Sequence, residues 1–120
     1  MSASSPAVDL KVEKVGSVTV VRFGLPLILS GEKTEKVGQE LFRLVASSDP
    51  CWLLLDFGKV EMMTSTMIGK LMMLDKKLKT AGGRLALCNL TDSMQAIFDV
   101  ARLPQVLNVY KEEAEALQSF

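Results

Sequence analysis

The sequence predicts an α/β domain: a mixed, mostly parallel sheet of about five strands with about four helices packed on it. Three observations carry this. Two short β-rich segments at the start are separated by Gly16-Ser17. From residue 31 onward, helical and strand-like periodicities alternate, which implies crossover connections between parallel strands. And 48% of the 120 residues are hydrophobic against 23% charged, enough apolar surface for one core.

Taken in order, residues 8 to 15 alternate Val8, Leu10 and Val12 with Asp9, Lys11 and Glu13, the pattern of a half-buried strand. Residues 18 to 23 are β-branched and read as its hairpin partner, which places the first strand antiparallel at an edge. Gly24 and Pro26 break the run. Ser30 stands where it could cap a helix over 31–47, with Val37, Leu41, Leu44 and Val45 as its apolar stripe. Ser48-Asp49-Pro50 ends that helix. Residues 52 to 57 form a continuous apolar run suited to a strand covered on both faces. A short loop leads to a helix over 65–79, with Met67, Ile68, Leu71, Leu74 and Leu78 inward and Gly82-Gly83 as its stop. A strand follows over 84–90. Thr91 caps a helix carrying Met94, Ile97, Phe98 and Ala101. Pro104, a short strand over 106–110 and a helix over 111–118 complete the chain. Residues 1–7 are expected to be a flexible N-terminus and 8–120 a single domain, with no repeat or linker inside it.

Composition narrows the function classes. Lys plus Arg and Asp plus Glu each number 14, so the net charge is zero and no basic patch invites nucleic acid or an anionic membrane. The absence of histidine removes the commonest general base and metal ligand. Cys51 and Cys88 lack metal-type spacing and sit in or beside apolar runs, as buried free thiols of a reducing compartment do. No signal peptide and no run long enough to span a bilayer is present, so the expectation is a cytoplasmic protein.

Four constellations invite a chemical reading. Thr64-Ser65-Thr66 stands at a helix start, where a hydroxyl can cap the backbone or accept a phosphate favoured by free N–H groups and the helix dipole. The methionines 62, 63, 67, 72, 73 and 94 read partly as core filling, at Met67 and Met94. Met63 and Met73 lie off the apolar stripe and read as adaptable surface around Ser65. Asp56 and Glu61 are carboxylates near a strand end, but with no base or activated nucleophile beside them Asp56 reads as a loop-ordering residue. Ser30-Gly31-Glu32-Lys33-Thr34 lacks the glycine spacing of a phosphate loop, and Glu32 interrupts its Gly-Lys pair.

From about Val8 to Leu117 the chain resembles the STAS domain family of anti-sigma factor antagonists. The segment Asp56 to Gly69, ending Thr64-Ser65-Thr66-Met67-Ile68-Gly69, is similar to the family's aspartate, loop and Asp-Ser-Ser-Gly-Leu-Gly. Ala81 to Asn89 is similar to its Gly-Gly-Arg-Leu strand, and Ile97 to Leu107 to its short helix and buried turn. The resemblance implies a partner switch without catalysis, cofactor or metal. An anti-sigma factor that is a serine kinase binds the dephosphorylated domain, phosphorylation at Ser65 releases it, and a phosphatase resets it. Asp56, Met63, Thr64, Ser65, Thr66 and Met67 are the expected partner-binding residues. Thr64 stands where the family has aspartate, and Met67 where it has glycine, adding bulk at a place of close approach. Those departures keep open a second reading, a STAS scaffold or transporter-associated subunit that is not phosphorylated.

Overall fold

The computed structural model describes residues 10–23, 27–29, 31–46 and 52–120. The segment 1–7, Val8, Asp9, Gly24, Pro26, Ser30, Ser48-Asp49-Pro50 and Cys51 lie outside the described residues. Strands β1 (Leu10–Val15) and β2 (Val18–Phe23) form the expected hairpin, in register from Leu10 opposite Phe23 to Val15 opposite Val18. Gly16 makes the turn at φ 62°, a conformation that costs a residue without Cβ little.

A three-residue strand β3 (Leu27–Leu29) leads to α1 (Gly31–Ala46). Then come β4 (Trp52–Asp56), β5 (Val60–Met63), α2 (Ser65–Thr80) and β6 (Arg84–Cys88). Helix α3 (Asp92–Val100), a 3₁₀ turn (Leu103–Gln105), β7 (Asn108–Tyr110) and α4 (Glu113–Gln118) follow. The main sheet has five strands in the order β1-β2-β4-β6-β7, parallel throughout except for the β1 edge.

Two of the predicted helix-end signals act as expected. Thr91 caps α3, its hydroxyl accepting the Met94 N–H at 3.3 Å. Gly82, at φ 82°, ends α2, and the Gly83 N–H returns to the Leu78 carbonyl at 2.7 Å. Leu53, Leu54 and Leu55 are all fully buried, because β4 is central and covered on both faces.

Alternation along the strands divides the interior unequally. Val21, Phe23, Leu53, Leu55, Leu85 and Leu87 join Val37 and Leu41 of α1, Met67, Leu71, Leu74 and Leu78 of α2, and Met94 and Phe98 of α3 in the larger core. The opposite face carries Val18, Val20, Leu54, Ala86 and Cys88 under Ala116 of the short α4. Arg22 at the end of β2 clamps α4 to that face. One of its terminal nitrogens donates to both Glu113 carboxylate oxygens at 2.6 and 2.7 Å, and its guanidinium also pairs with Glu13.

The expected loop after β4 is partly structured: β5 pairs with β3 in a separate two-stranded parallel sheet. Four residues are too few to display a period, and the pairing is made with a segment about thirty positions away. The last strand is shorter than expected and begins at Asn108, since the chain before it turns in a 3₁₀ helix over Leu103–Gln105.

Candidate functional site

The candidate site begins where β4 ends. Asp56 closes the strand and turns the chain: its Oδ1 accepts the Gly58 N–H at 2.9 Å, and its Oδ2 lies 3.7 Å from Arg22 Nε. The Phe57 N–H still donates to the Cys88 carbonyl, and the Val60 N–H closes the turn on the Phe57 carbonyl, each at 3.0 Å. Phe57 itself stacks on Phe23, ring centroids 5.7 Å apart. This is the loop-ordering role expected of the carboxylate. It faces a hollow lined by Arg22, Phe23, Gly58, Lys59 and Asn89, distinct from the surfaces around Ser65.

Strand β5 then delivers the chain to the N-terminus of α2. Thr64 is the cap, in extended backbone at φ −81° and ψ 164°, and its carbonyl accepts the Ile68 N–H at 3.2 Å. Its hydroxyl makes no capping hydrogen bond. The N–H groups of the first turn therefore point outward with no acceptor inside the helix. Thr64, Ser65 and Thr66 are all exposed.

Two of the expected partner-binding residues are not on the surface: Met63, read as adaptable surface, and Met67, whose burial is the core filling its place on the apolar stripe predicts. Met63 is 4% exposed and Met67 fully buried, both within the larger core. Met63 is the last residue of β5 and turns inward against α3, a placement the unforeseen strand dictates. Met67 is the first inward position of α2, so its bulk fills the interior and does not obstruct approach from outside. Among the described residues the exposed methionines are Met62, Met72 and Met73, the last 64% exposed as its place off the apolar stripe required.

The first turn of α2 separates two depressions. On one side Ser65 borders an open groove of about 500 Å³ with Met63, Ile68, Ala96, Ile97, Val100 and Ala101. The lining is apolar apart from Ser65, and Val100 at its edge is 87% exposed. On the other side Thr64 and Thr66 border a hollow of about 340 Å³ with Gly31, Thr34 and Glu35 of α1. Periodicity along α1 and α2 could name the helices but not the groove, whose far wall is α3.

Cys88, the cysteine among the described residues, is buried and not an activated thiol. Burial pushes the Cys88 thiol up to about 12, helped by the negative charges of Asp56 and Glu113. Among the described residues no group of three or more His, Cys, Asp or Glu is placed to hold a metal ion. No described helix is long and apolar enough to cross a membrane.

The architecture is that of known solved structures. A STAS domain protein from Planctomyces limnophilus, described as an anti-sigma-factor antagonist, superposes with a TM-score of 0.79 at 24% identity, covering 92% of this chain and 96% of that one. The phosphorylated form of the Bacillus cell fate determinant SpoIIAA gives 0.65 at 19% identity, covering 92% and 97%. A murine anion transporter of Solute Carrier family 26 gives 0.69 at 17% identity, covering 88% of this chain and 18% of the transporter. The sequence model of the STAS domain matches residues 9–116, nearly the whole length. The chain thus belongs to the STAS domain family.

Proposed function

We propose that this chain is a protein-binding switch of the anti-sigma factor antagonist kind. In this reading the dephosphorylated domain binds an anti-sigma serine kinase through the groove between α2 and α3. Phosphorylation of Ser65 releases the partner, a phosphatase restores binding, and the chain itself catalyses nothing and works in the cytoplasm.

The observation that carries the reading is the setting of Ser65: exposed in the first turn of α2, at the rim of an apolar groove with no cation among its described lining residues. A phosphoserine there brings close to two negative charges. The helix N-terminus tolerates them, so the fold stays intact. A partner side chain seated in the groove would have to desolvate them against apolar walls, which is costly. Phosphorylation then blocks docking without unfolding the domain. The likeness to a solved structure described as a phosphorylated form supports a phosphorylation switch of this kind.

Incubation with the cognate anti-sigma kinase and ATP is expected to add one phosphate at Ser65 and to dissociate the complex. Ser65→Ala should stay unmodified and bound. Phosphate found elsewhere, or equal labelling of Ser65→Ala, would overturn the acceptor assignment.

The second reading is a STAS subunit of a transport assembly. It is supported by the uncharged Thr64 at the helix cap and by the likeness to the STAS portion of an anion transporter. A stable complex of the purified chain with a permease or ATPase subunit, unaffected by Ser65→Glu, would decide for it.

A further inference from the structure

We propose that α4 is a clasp: it opens as a unit from the sheet face beneath it, and Arg22 passes its position to the loop at Asp56. The two faces of the sheet are covered unequally. Helices α1, α2 and α3 pack on one face, whereas on the other the described residues supply the six residues of α4. A helix that short does not hold itself together in water, so α4 persists through what it touches.

Strand register lays out the seat. Residues 18, 20 and 22 of β2 stand beside 52, 54 and 56 of β4, and these beside 84, 86 and 88 of β6. The middle row, Val20, Leu54 and Ala86, is fully buried in the cluster that Ala116 completes, and Leu117 and Phe120 pack against that cluster. The two outer rows carry one arginine each, and these are the latches. Arg22 Nη2 donates to both Glu113 carboxylate oxygens at 2.6 and 2.7 Å. The Arg84 guanidinium carbon lies 5.9 Å from the centre of the Phe120 ring, and Arg84 Nη2 donates to the Tyr110 hydroxyl at 2.9 Å.

The closed state carries a defect that opening relieves. Arg84 Nε is buried with no hydrogen-bond partner. An unpaired buried donor costs stability, and water entering the seat satisfies it. Nor does any side chain cap α4 at Glu112. The chain just before the helix is pinned, because the Asn89 N–H donates to the Lys111 carbonyl at 3.3 Å. That contact marks the hinge: α4 leaves and β7 stays in the sheet, an opening smaller than global unfolding.

Arg22 ties the clasp to the loop after β4. Its Nε lies 3.7 Å from Asp56 Oδ2, while Asp56 Oδ1 accepts the Gly58 N–H at 2.9 Å. When Glu113 departs, Arg22 is left to Glu13 and Asp56, and the segment leading to β5 and α2 feels the change. The device needs no event at Ser65.

Cys88 is the reporter. It is buried in the same seat, and burial together with the negative charges of Asp56 and Glu113 holds its thiol protonated. The full chain is alkylated with iodoacetamide in native buffer and the Cys88 peptide is quantified by mass spectrometry, while amide exchange at residues 53–55 reports global unfolding. Glu113→Ala should speed Cys88 alkylation about tenfold or more, the value of a hydrogen bond to a charged group. Phe120→Ala leaves every charge around Cys88 in place and should speed it about threefold. Exchange at 53–55 should match the original chain in both variants. Phe120→Ala should also shift the Gly58 amide resonance, although Phe120 lies beyond the far end of α4 from Glu113. Unchanged alkylation, or alkylation that rises only in step with exchange at 53–55, would overturn the clasp. A Gly58 signal unmoved by Phe120→Ala would overturn its link to Asp56.

Discussion

The two sides of the α2 N-terminus differ more than one helical turn would suggest. Adjacent residues on a helix point about 100° apart. Ser65 thus meets the apolar groove walled by Ile97 and Val100, while Thr66, together with Thr64 in the extended cap, borders the hollow beside α1. Three consecutive hydroxyls of similar chemistry have unequal consequences. A charge at Ser65 faces an apolar lining with no Lys or Arg among its described residues, whereas Thr66 faces a hollow lined by Gly31, Thr34 and Glu35 of α1. The difference teaches that the identity of the hydroxyl matters less here than the neighbour it is turned towards.

The comparison is open to direct attack. The largest effect should come from Ser65→Glu, which is expected to weaken binding of the cognate anti-sigma kinase about 100-fold or more, ~3 kcal/mol, in a calorimetric titration. Unchanged affinity would mean that the groove is not the docking surface. Next is Val100→Asp, at the far edge of the groove. Affinity should fall about tenfold while the thermal unfolding midpoint barely moves, since an exposed residue changes stability by only about 0.5 kcal/mol. If the loss of affinity is matched by a loss of fold, the groove reading gains nothing from it.

Thr66→Glu tests the other side. The carboxylate should stabilise the helix by ~0.5 kcal/mol in denaturant unfolding and leave kinase affinity within about threefold. A loss as large as that of Ser65→Glu would erase the distinction between the two sides. The smallest effect belongs to Thr64→Asp, which supplies a better cap and a charge at the dipole end. It should add about 0.5 kcal/mol to stability by denaturant titration. A destabilised protein would show that the present extended cap serves some other contact.

Much of this fold was legible from residue order. Val12 and Val21 with their alternating neighbours identified the hairpin, and the continuous Leu53-Leu54-Leu55 run identified a strand covered twice. Thr91 and Gly82-Gly83 marked helix ends because capping is decided within a few residues of chain. Ser65 as the first residue of α2 was legible for the same reason. Met63 was not. Its burial follows from β5 pairing with β3 and packing near α3, and neither contact leaves a local trace. Thr34 was equally opaque: a threonine in the first turn of a helix gives no sign that its hydroxyl will be enclosed without a partner.

The chain by itself thus determined the strands of the main sheet, the helices and the place of the Thr64-Ser65-Thr66 turn, since these rest on periodicity and capping, interactions spanning a few residues, whereas the β3–β5 pair left no such trace. Only the tertiary structure decided which side of that turn is apolar and which is polar. That depends on α3 and α1 being brought against α2 from separate parts of the sequence, and no local pattern encodes the contact.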